Sequence, residues 1–416
     1  MLKLFSLGLI ANLVYVISGA LKQYFIAAQL PVASVGVYGA WVAQAALLLV
    51  LVPFPAYLDV LIKGFSAAPD DHDTGSLLVV GVRRELRSLV LLGGVVIACA
   101  AGFDLIAGRF HQTAPALMLL LLAQYISLTA DILLRMRRAH QRFALFMATR
   151  NLPSLAVIIV LGLSVPMAIV GAELLSALVT GWFVFRSKPL LDIHPPSTKP
   201  RRRTVDREQA TLWLARLGQY VNSSLLRLVV PFTFGAHDTG LFFFASIAQI
   251  PCSLFLSVTT QLFGHSLARM KQGEYSTIAR IQLWFLTPNV LYVVALLLIV
   301  PYWPVLISYV PRLQQYSAVG PLVFSVALYS AVLSSDCTEY LLRSRGLSRI
   351  LLGYNLCSVL VQIACLSFGT LEKMTIERTI ILCAAAASSV LAGFSTYSFR
   401  RVLGRRREID LNVGTR

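Results

Sequence analysis

The chain has 416 residues, of which 57% are hydrophobic and only 13% charged, with mean hydropathy +0.74 and a net charge of +17. So apolar a composition excludes a soluble globular protein. The basic excess lies in short stretches between apolar runs, which excludes the nucleic-acid reading that +17 would otherwise invite.

A membrane-crossing helix needs about 20 mostly apolar residues. Twelve stretches qualify: about 5–28, 36–62, 88–108, 114–134, 144–164, 166–185, 210–231, 240–264, 281–301, 317–341, 350–369 and 376–398. The first follows a single lysine, Lys3. It is too long for a signal-peptide core and has no persuasive cleavage site, so it is expected to be a span. Spans five and six meet at Pro166, the least distinct junction. The segment after span six carries Pro189, Pro195, Pro196, Pro200 and the run Arg201-Arg202-Arg203, and reads as a solvated linker. The predicted organisation is an all-α integral membrane protein: a six-helix lobe at 1–186, a basic cytoplasmic linker at 187–209, a six-helix lobe at 210–398 and a basic cytoplasmic tail at 399–416. The tail run Arg405-Arg406-Arg407 suits anionic lipid headgroups. Outer loops are short, the longest being about 302–316, which leaves no room for a folded external domain.

Orientation follows from the basic residues. With a cytoplasmic N-terminus, inner loops and tails collect 29 of the 36 Lys and Arg, including Arg83, Arg84, Arg87, Arg135, Arg137 and Arg138. Four lie outside (Arg109, Arg312, Lys373 and Arg378), and three lie within spans: Lys22, Arg216 and Arg227. This skew predicts both termini inside.

The chain repeats itself at an offset of 205. Tyr15-Val16-Ile17-Ser18-Gly19-Ala20-Leu21-Lys22 stands against Tyr220-Val221-Asn222-Ser223-Ser224-Leu225-Leu226-Arg227. At the same offset, Ala40, Ala43 and Gln44 match Ala245, Ala248 and Gln249, and Leu128 and Asp131 match Leu333 and Asp336. Six spans per half make this a parallel repeat, with a pseudo-two-fold axis along the membrane normal and a central cavity expected between the lobes.

Charges inside the spans mark the candidate site. At 3.6 residues per turn, Tyr15, Ser18 and Lys22 share one face of span one, and Arg216, Tyr220, Ser223 and Arg227 share one face of span seven. Arg216 and Arg227 stand roughly 16 Å apart along the axis. One reading is that these cations bind an anionic headgroup, for which the guanidinium offers paired donors. The other is snorkelling, in which a long side chain reaches to a nearby interface. Gln44 and Gln249 are candidates to line the cavity or to bond neighbouring helices. Asp131 and Asp336 sit toward the inner ends of spans four and ten. They read either as local partners of arginines, as Arg135 is four residues beyond Asp131, or as a proton or sodium coupling site or gate. Asp59, Asp104 and Glu173 lie near span ends and need no special explanation.

Several chemistries have no sequence support. There is no GxxxxGK[ST] loop and no HExxH, and the six histidines are scattered, so no metal site, catalytic residue or cofactor is expected. The six cysteines, Cys99, Cys252, Cys337, Cys357, Cys365 and Cys383, fall in apolar runs without metal-ligand spacing and read as small packing residues. Asn222-Ser223-Ser224 fits a glycosylation pattern but lies within a span, and is set aside.

One set of residues carries a resemblance. Val35-Gly36-Val37-Tyr38-Gly39-Ala40, together with the stretch from Asp238-Thr239-Gly240-Leu241-Phe242-Phe243-Phe244-Ala245 through Gln249-Ile250-Pro251 to Phe263-Gly264-His265-Ser266-Leu267-Ala268-Arg269, resembles the corresponding helix junctions of Wzx-type polysaccharide exporters. These belong to the superfamily that also holds the MATE drug exporters. The resemblance implies two pseudo-symmetric six-helix lobes around a cationic cavity. It also implies a flippase that moves undecaprenyl-pyrophosphate-linked oligosaccharide across the bacterial inner membrane for O-antigen, capsule or exopolysaccharide synthesis, with Lys22, Arg216 and Arg227 at the basic positions. The implied partners are that glycan lipid, the anionic bilayer and polysaccharide polymerase machinery. A MATE- or major-facilitator-like exporter of small molecules is the alternative. Span one lacks the buried acids a cationic-drug site would prefer, and the G-x-x-x-D-R-x-G-R loop signature is missing. A membrane enzyme is disfavoured by the short outer loops.

Overall fold

A computed structural model of the chain describes residues 2–51, 94, 113–136, 140–186, 207–269, 275–335, 337–339, 342 and 348–403, and these contain no β-strand. Helix is what hydrocarbon demands, because a helix satisfies its backbone hydrogen bonds internally.

The first half opens with α1 (Leu2–Gln29) and α2 (Val32–Leu51). Only Leu30 and Pro31 separate them. Pro31 has no N–H to donate, but its carbonyl accepts from Val35 N at 3.0 Å, so α2 starts at once. Next come α3 (Thr113–Met136), α4 (His140–Thr149), α5 (Leu152–Leu161) and α6 (Pro166–Phe185). Pro153 stands in the first turn of α5, where a missing N–H costs nothing. The helix ends at Gly162, whose φ of 56° lies in the left-handed region and whose N–H bonds back to Ile158 O. Pro166 then opens α6, so the junction of spans five and six is a short turn.

The second half repeats the order. α7 (Arg207–Thr233) corresponds to α1, and the pair α8 (Gly235–Ala245) and α9 (Gln249–Arg269), joined by a 3-10 turn at Ser246–Ala248, corresponds to α2. α10 (Tyr275–Ile299) follows, then α11 (Trp303–Ser308), α12 (Gly320–Ser334), α13 (Ser348–Leu371) and α14 (Ile376–Leu403).

Ten helical stretches among the described residues are long and apolar enough to cross a membrane. They match ten of the twelve expected spans. The third, 88–108, lies outside the described residues apart from Gly94, and the second is described only to Leu51. The seventh is α7, a 27-residue helix whose polar residues set it apart from the ten. The linker residues 187–206, Cys99, Asp336 and the tail beyond Leu403 also lie outside the described residues.

Two expectations change. The segment 302–316, expected as an outer loop, is folded: α11 and a 3-10 stretch at Pro311–Val319 turn back on each other, with Trp303 Nε1 donating to Tyr316 O at 3.1 Å and Tyr316 fully buried. Arg150, counted with the inner loops, already lies within the expected fifth span, 144–164, and the structure puts it at the break between α4 and α5, so the inner side of the expected topology holds one basic residue fewer.

The helices form two compact units, Met1–Tyr220 with Arg227–Phe244, and Val221–Leu226 with Ala245–Arg416. In the first, α3 packs on α2 and α6, and α1 packs on α4 and α5. Their shared core holds Ile26, Leu30, Val35, Trp41, Ile158 and Ile169, all buried. In the second, α14 packs on α12 and α13, and α12 also meets α9 and α10. Outward faces such as Leu283, Trp284, Leu291 and Leu298 on α10 remain uncovered by protein, as expected of surface that hydrocarbon covers.

Candidate functional site

The first unit builds its polar site on three helices. Lys22 stands one turn before buried Ile26 on α1, and Glu173 one turn after buried Ile169 on α6. Packing of these core residues therefore brings the two side chains to one level. The Lys22 ammonium and a Glu173 carboxylate oxygen are 2.7 Å apart, with both side chains under one-fifth exposed. Tyr38 of α2 donates its hydroxyl to the same Glu173 oxygen at 3.0 Å and is itself buried. A cation in a membrane span thus meets an internal anion, the arrangement that low-dielectric surroundings demand of a buried charge. The ammonium points onto the carboxylate.

Seven residues earlier, roughly 10 Å along α1, a second cation appears. The Arg150 guanidinium lies 5.8 Å from the centre of the Tyr15 ring, within cation–π range. The break between α4 and α5 is held against α1 here. Asn151 Nδ2 donates to Tyr15 O at 3.2 Å, and Gly19 lies close beside that amide. Ser18 is buried and donates to Tyr15 O at 2.9 Å, so it belongs to the helix contact and not to an open polar face.

The corresponding residues of α7 behave differently. Ser223 and Arg227, one turn apart, are both exposed. Tyr220 is half-buried, with its hydroxyl donating to Ala43 O at 3.4 Å. Arg216 lies on α7, but its side chain is outside the described ones. The pair Lys22 and Arg227 therefore matches in sequence but not in surroundings. Gln44 and Gln249 are half-buried on α2 and α9, and Asp131 is half-buried near the end of α3; the side chain of Arg135 is not among the described ones. Asp336 is outside the described residues. No group of His, Cys, Asp or Glu that would hold a metal ion occurs among the described residues.

The opposite face of α7 carries a feature that the sequence does not announce. Asn222, set aside above with its glycosylation pattern, is buried at the centre of a hydrogen-bonded knot in the second unit. Its Oδ1 accepts from Ser358 Oγ at 2.7 Å and from Gln362 Nε2 at 2.6 Å, and its backbone carbonyl accepts from Tyr329 Oη at 3.1 Å. Tyr329 Oη also bonds Gln362 Oε1 at 2.5 Å. The knot is uncharged, with the single Tyr329 hydroxyl hydrogen shared between the Asn222 carbonyl and Gln362 Oε1, and it joins α7 to α12 and α13 through side-chain hydrogen bonds, so it reads as a helix clasp. Glu173 was also missed. The signal that could have found it is that α6 holds a carboxylate two turns inside a continuous apolar run.

The two glycine motifs behind the family resemblance meet in space. Within the first unit, the start of α2 crosses the start of α8 with backbone against backbone at Gly36 and Gly240. Phe243 lies on Gly39 and edge-on to Tyr38, with ring centres 5.7 Å apart. The crossing thereby buttresses the tyrosine that holds Glu173.

No protein-family model and no curated protein matches the chain by sequence. Solved structures do match its fold. An inward-facing multidrug-resistance MATE family transporter of the MOP superfamily superposes with a TM-score of 0.66 at 14% identity, covering 96% of this chain and 99% of that one. The MATE multidrug transporter DinF-BH gives 0.62 at 12% identity over 96% and 95%. A MOP-superfamily transporter from Pyrococcus furiosus, described as having a binding pocket of reverse polarity that suggests a different function, gives 0.61 at 16% identity over 96% and 95%. The chain has the fold of these multi-pass membrane transporters.

Proposed function

We propose that this chain is a flippase for undecaprenyl-pyrophosphate-linked oligosaccharide units. It moves their head groups from the inner to the outer leaflet of a bacterial inner membrane by alternating access, with both of its termini cytoplasmic. The observation that carries the reading is the set of cations inside spans, Lys22 and Arg150 beside α1 and exposed Arg227 on α7, within a transporter fold. Phosphate is the membrane solute chemistry that such cations favour, and Arg binds it through paired donors. The Pyrococcus furiosus neighbour supports the reading in one respect: its description assigns a pocket of altered polarity to a different function on the same fold. The repeat-equivalent positions Tyr15, Tyr220, Ser223, Gln44 and Gln249 and the basic Arg216 complete the proposed substrate surface, whereas Ser18, expected there from the sequence, is buried in the helix contact. Asp131 and Asp336 are the proposed coupling or gating acids for a proton or sodium ion.

The test is glycan export in cells carrying the Lys22→Ala, Arg227→Ala double variant at wild-type protein level. Export is expected to stop. Full export by that variant rejects the cation role.

A further inference from the structure

Glu173 occupies the place on Lys22 that a phosphate oxygen would take. Its carboxylate stands 2.7 Å from the ammonium, is steadied by the Tyr38 hydroxyl at 3.0 Å, and lies in a span where no charge is cheap to hold. The pair is mostly but not wholly covered: side-chain exposures of 15% for Lys22 and 18% for Glu173 leave one side open. A permanent buried bridge repays its desolvation only when further hydrogen bonds satisfy the remaining lone pairs of the carboxylate. Here the contacts from Lys22 and from Tyr38 converge on the same carboxylate oxygen. Resting on the proposed function, we propose that Glu173 is a resident counter-ion that the phosphate-bearing head group of the substrate displaces from Lys22. Glu173 is then a specificity-determining residue. It keeps Lys22 neutralised when the site is empty, it sets the affinity threshold an anion must exceed, and it helps expel the head group by reclaiming the ammonium.

Competition of this kind has a magnitude. An anion competing with Glu173 binds with an affinity reduced by the fraction of time Lys22 is unpaired, so a pair closed about nine-tenths of the time weakens binding about tenfold. Removing the carboxylate should return that factor. It should also slow turnover, because the head group is then held without a competitor.

The experiment is binding of inorganic pyrophosphate to the purified full chain in detergent by titration calorimetry, with phosphatidylglycerol in mixed micelles as a second anion. Thermal melting serves as the check on folding. Glu173→Gln is expected to tighten pyrophosphate binding about tenfold, Lys22→Ala to weaken it, and the double variant to bind like Lys22→Ala alone. Tightening for pyrophosphate but not phosphatidylglycerol ties the displacement to the diphosphate; tightening for both ties it to phosphate headgroups at large. A purely structural role for Glu173 would lower melting temperature and weaken binding. If Glu173→Gln does not fold, Glu173→Asp, which draws the carboxylate back by one carbon, is judged by the same sign. Unchanged or weaker binding in the Glu173 variants, with binding still lost in Lys22→Ala, overturns the inference and leaves the proposed function standing. Unchanged pyrophosphate binding in Lys22→Ala overturns the anion role of Lys22 and the inference with it.

Discussion

Gly36 and Gly240 face each other's helices across a backbone-to-backbone crossing. The α-carbon of Gly36 lies against the carbonyl oxygen of Ala236, and that of Gly240 lies against the carbonyl oxygen of Val32. Each glycine meets the carbonyl one turn before the other. Val32 and Gly36 stand 204 positions before Ala236 and Gly240, one short of the repeat offset of 205. The contact is therefore made by repeat-related turns, in the manner of small-residue helix pairs in membranes.

Alanine at either glycine is expected to force the helices apart. A Cβ at Gly240 would strike backbone, not a side chain that can swing away. We expect Gly240→Ala and Gly36→Ala each to cost about 2–3 kcal/mol, with the double variant costing less than the sum because both damage one contact. Thermal melting in detergent measures this. Wild-type melting in both single variants contradicts the crossing.

The clasp around Asn222 gives a second prediction. Gln362→Leu removes a donor to Asn222 and an acceptor for Tyr329 at once. Asn222 Oδ1 keeps Ser358 Oγ and the Tyr329 hydroxyl keeps the Asn222 carbonyl, so the loss of these two hydrogen bonds is expected to cost about 1–3 kcal/mol. Asn222→Leu with Gln362→Leu should be less damaging than the two single effects added, since each single change already removes the bond between Gln362 and Asn222. A double-mutant cycle in detergent reads the coupling.

Arg150 gives a third. Its guanidinium over Tyr15 contributes only about 1 kcal/mol to stability at a partly exposed site. Arg150→Gln is therefore expected to melt nearly as wild type while glycan export falls at least about tenfold, a loss that corresponds to one lost charge-assisted phosphate contact. A variant that melts early and exports normally assigns Arg150 to structure alone.

Arg227 gives a fourth. It is exposed on the same face of α7 as Ser223. If it grips phosphate through paired donors, Arg227→Lys should recover only part of the export that Arg227→Ala loses, because ammonium keeps the charge but not the fork. Export by Arg227→Lys equal to wild type shows that charge alone suffices at this position.

The fold was legible in the chain because hydrocarbon imposes a simple rule, and apolar runs of helical length show directly in the residues. Ten spans fall where the runs lie, and the repeat that links Lys22 to Arg227 reappears as matching helices α1 and α7. The site was legible only in part. A sequence shows that Lys22 is a charge in a span, but not that α6 brings Glu173 to it from 151 positions away. Ser18 and Ser223 match in the repeat, yet one is buried against the helix junction at Asn151 and the other is exposed, since pseudo-symmetry of sequence does not make neighbours equal. Arg150 was passed over although it lies inside the expected fifth span, because the break between α4 and α5 that carries it to Tyr15 shows only in the structure. Asn222 was hidden because its partners, Tyr329, Ser358 and Gln362, are spread over two later helices.

The most direct test is transport of a defined undecaprenyl-pyrophosphate-linked oligosaccharide by the purified chain in proteoliposomes, with and without an imposed proton or sodium gradient. A flippase of this kind is predicted to give protein-dependent movement of the glycan between leaflets, lost in the Lys22→Ala, Arg227→Ala double variant. Glycan that stays in its original leaflet under either gradient, in vesicles where the same protein exports a cationic dye, would contradict the flippase role.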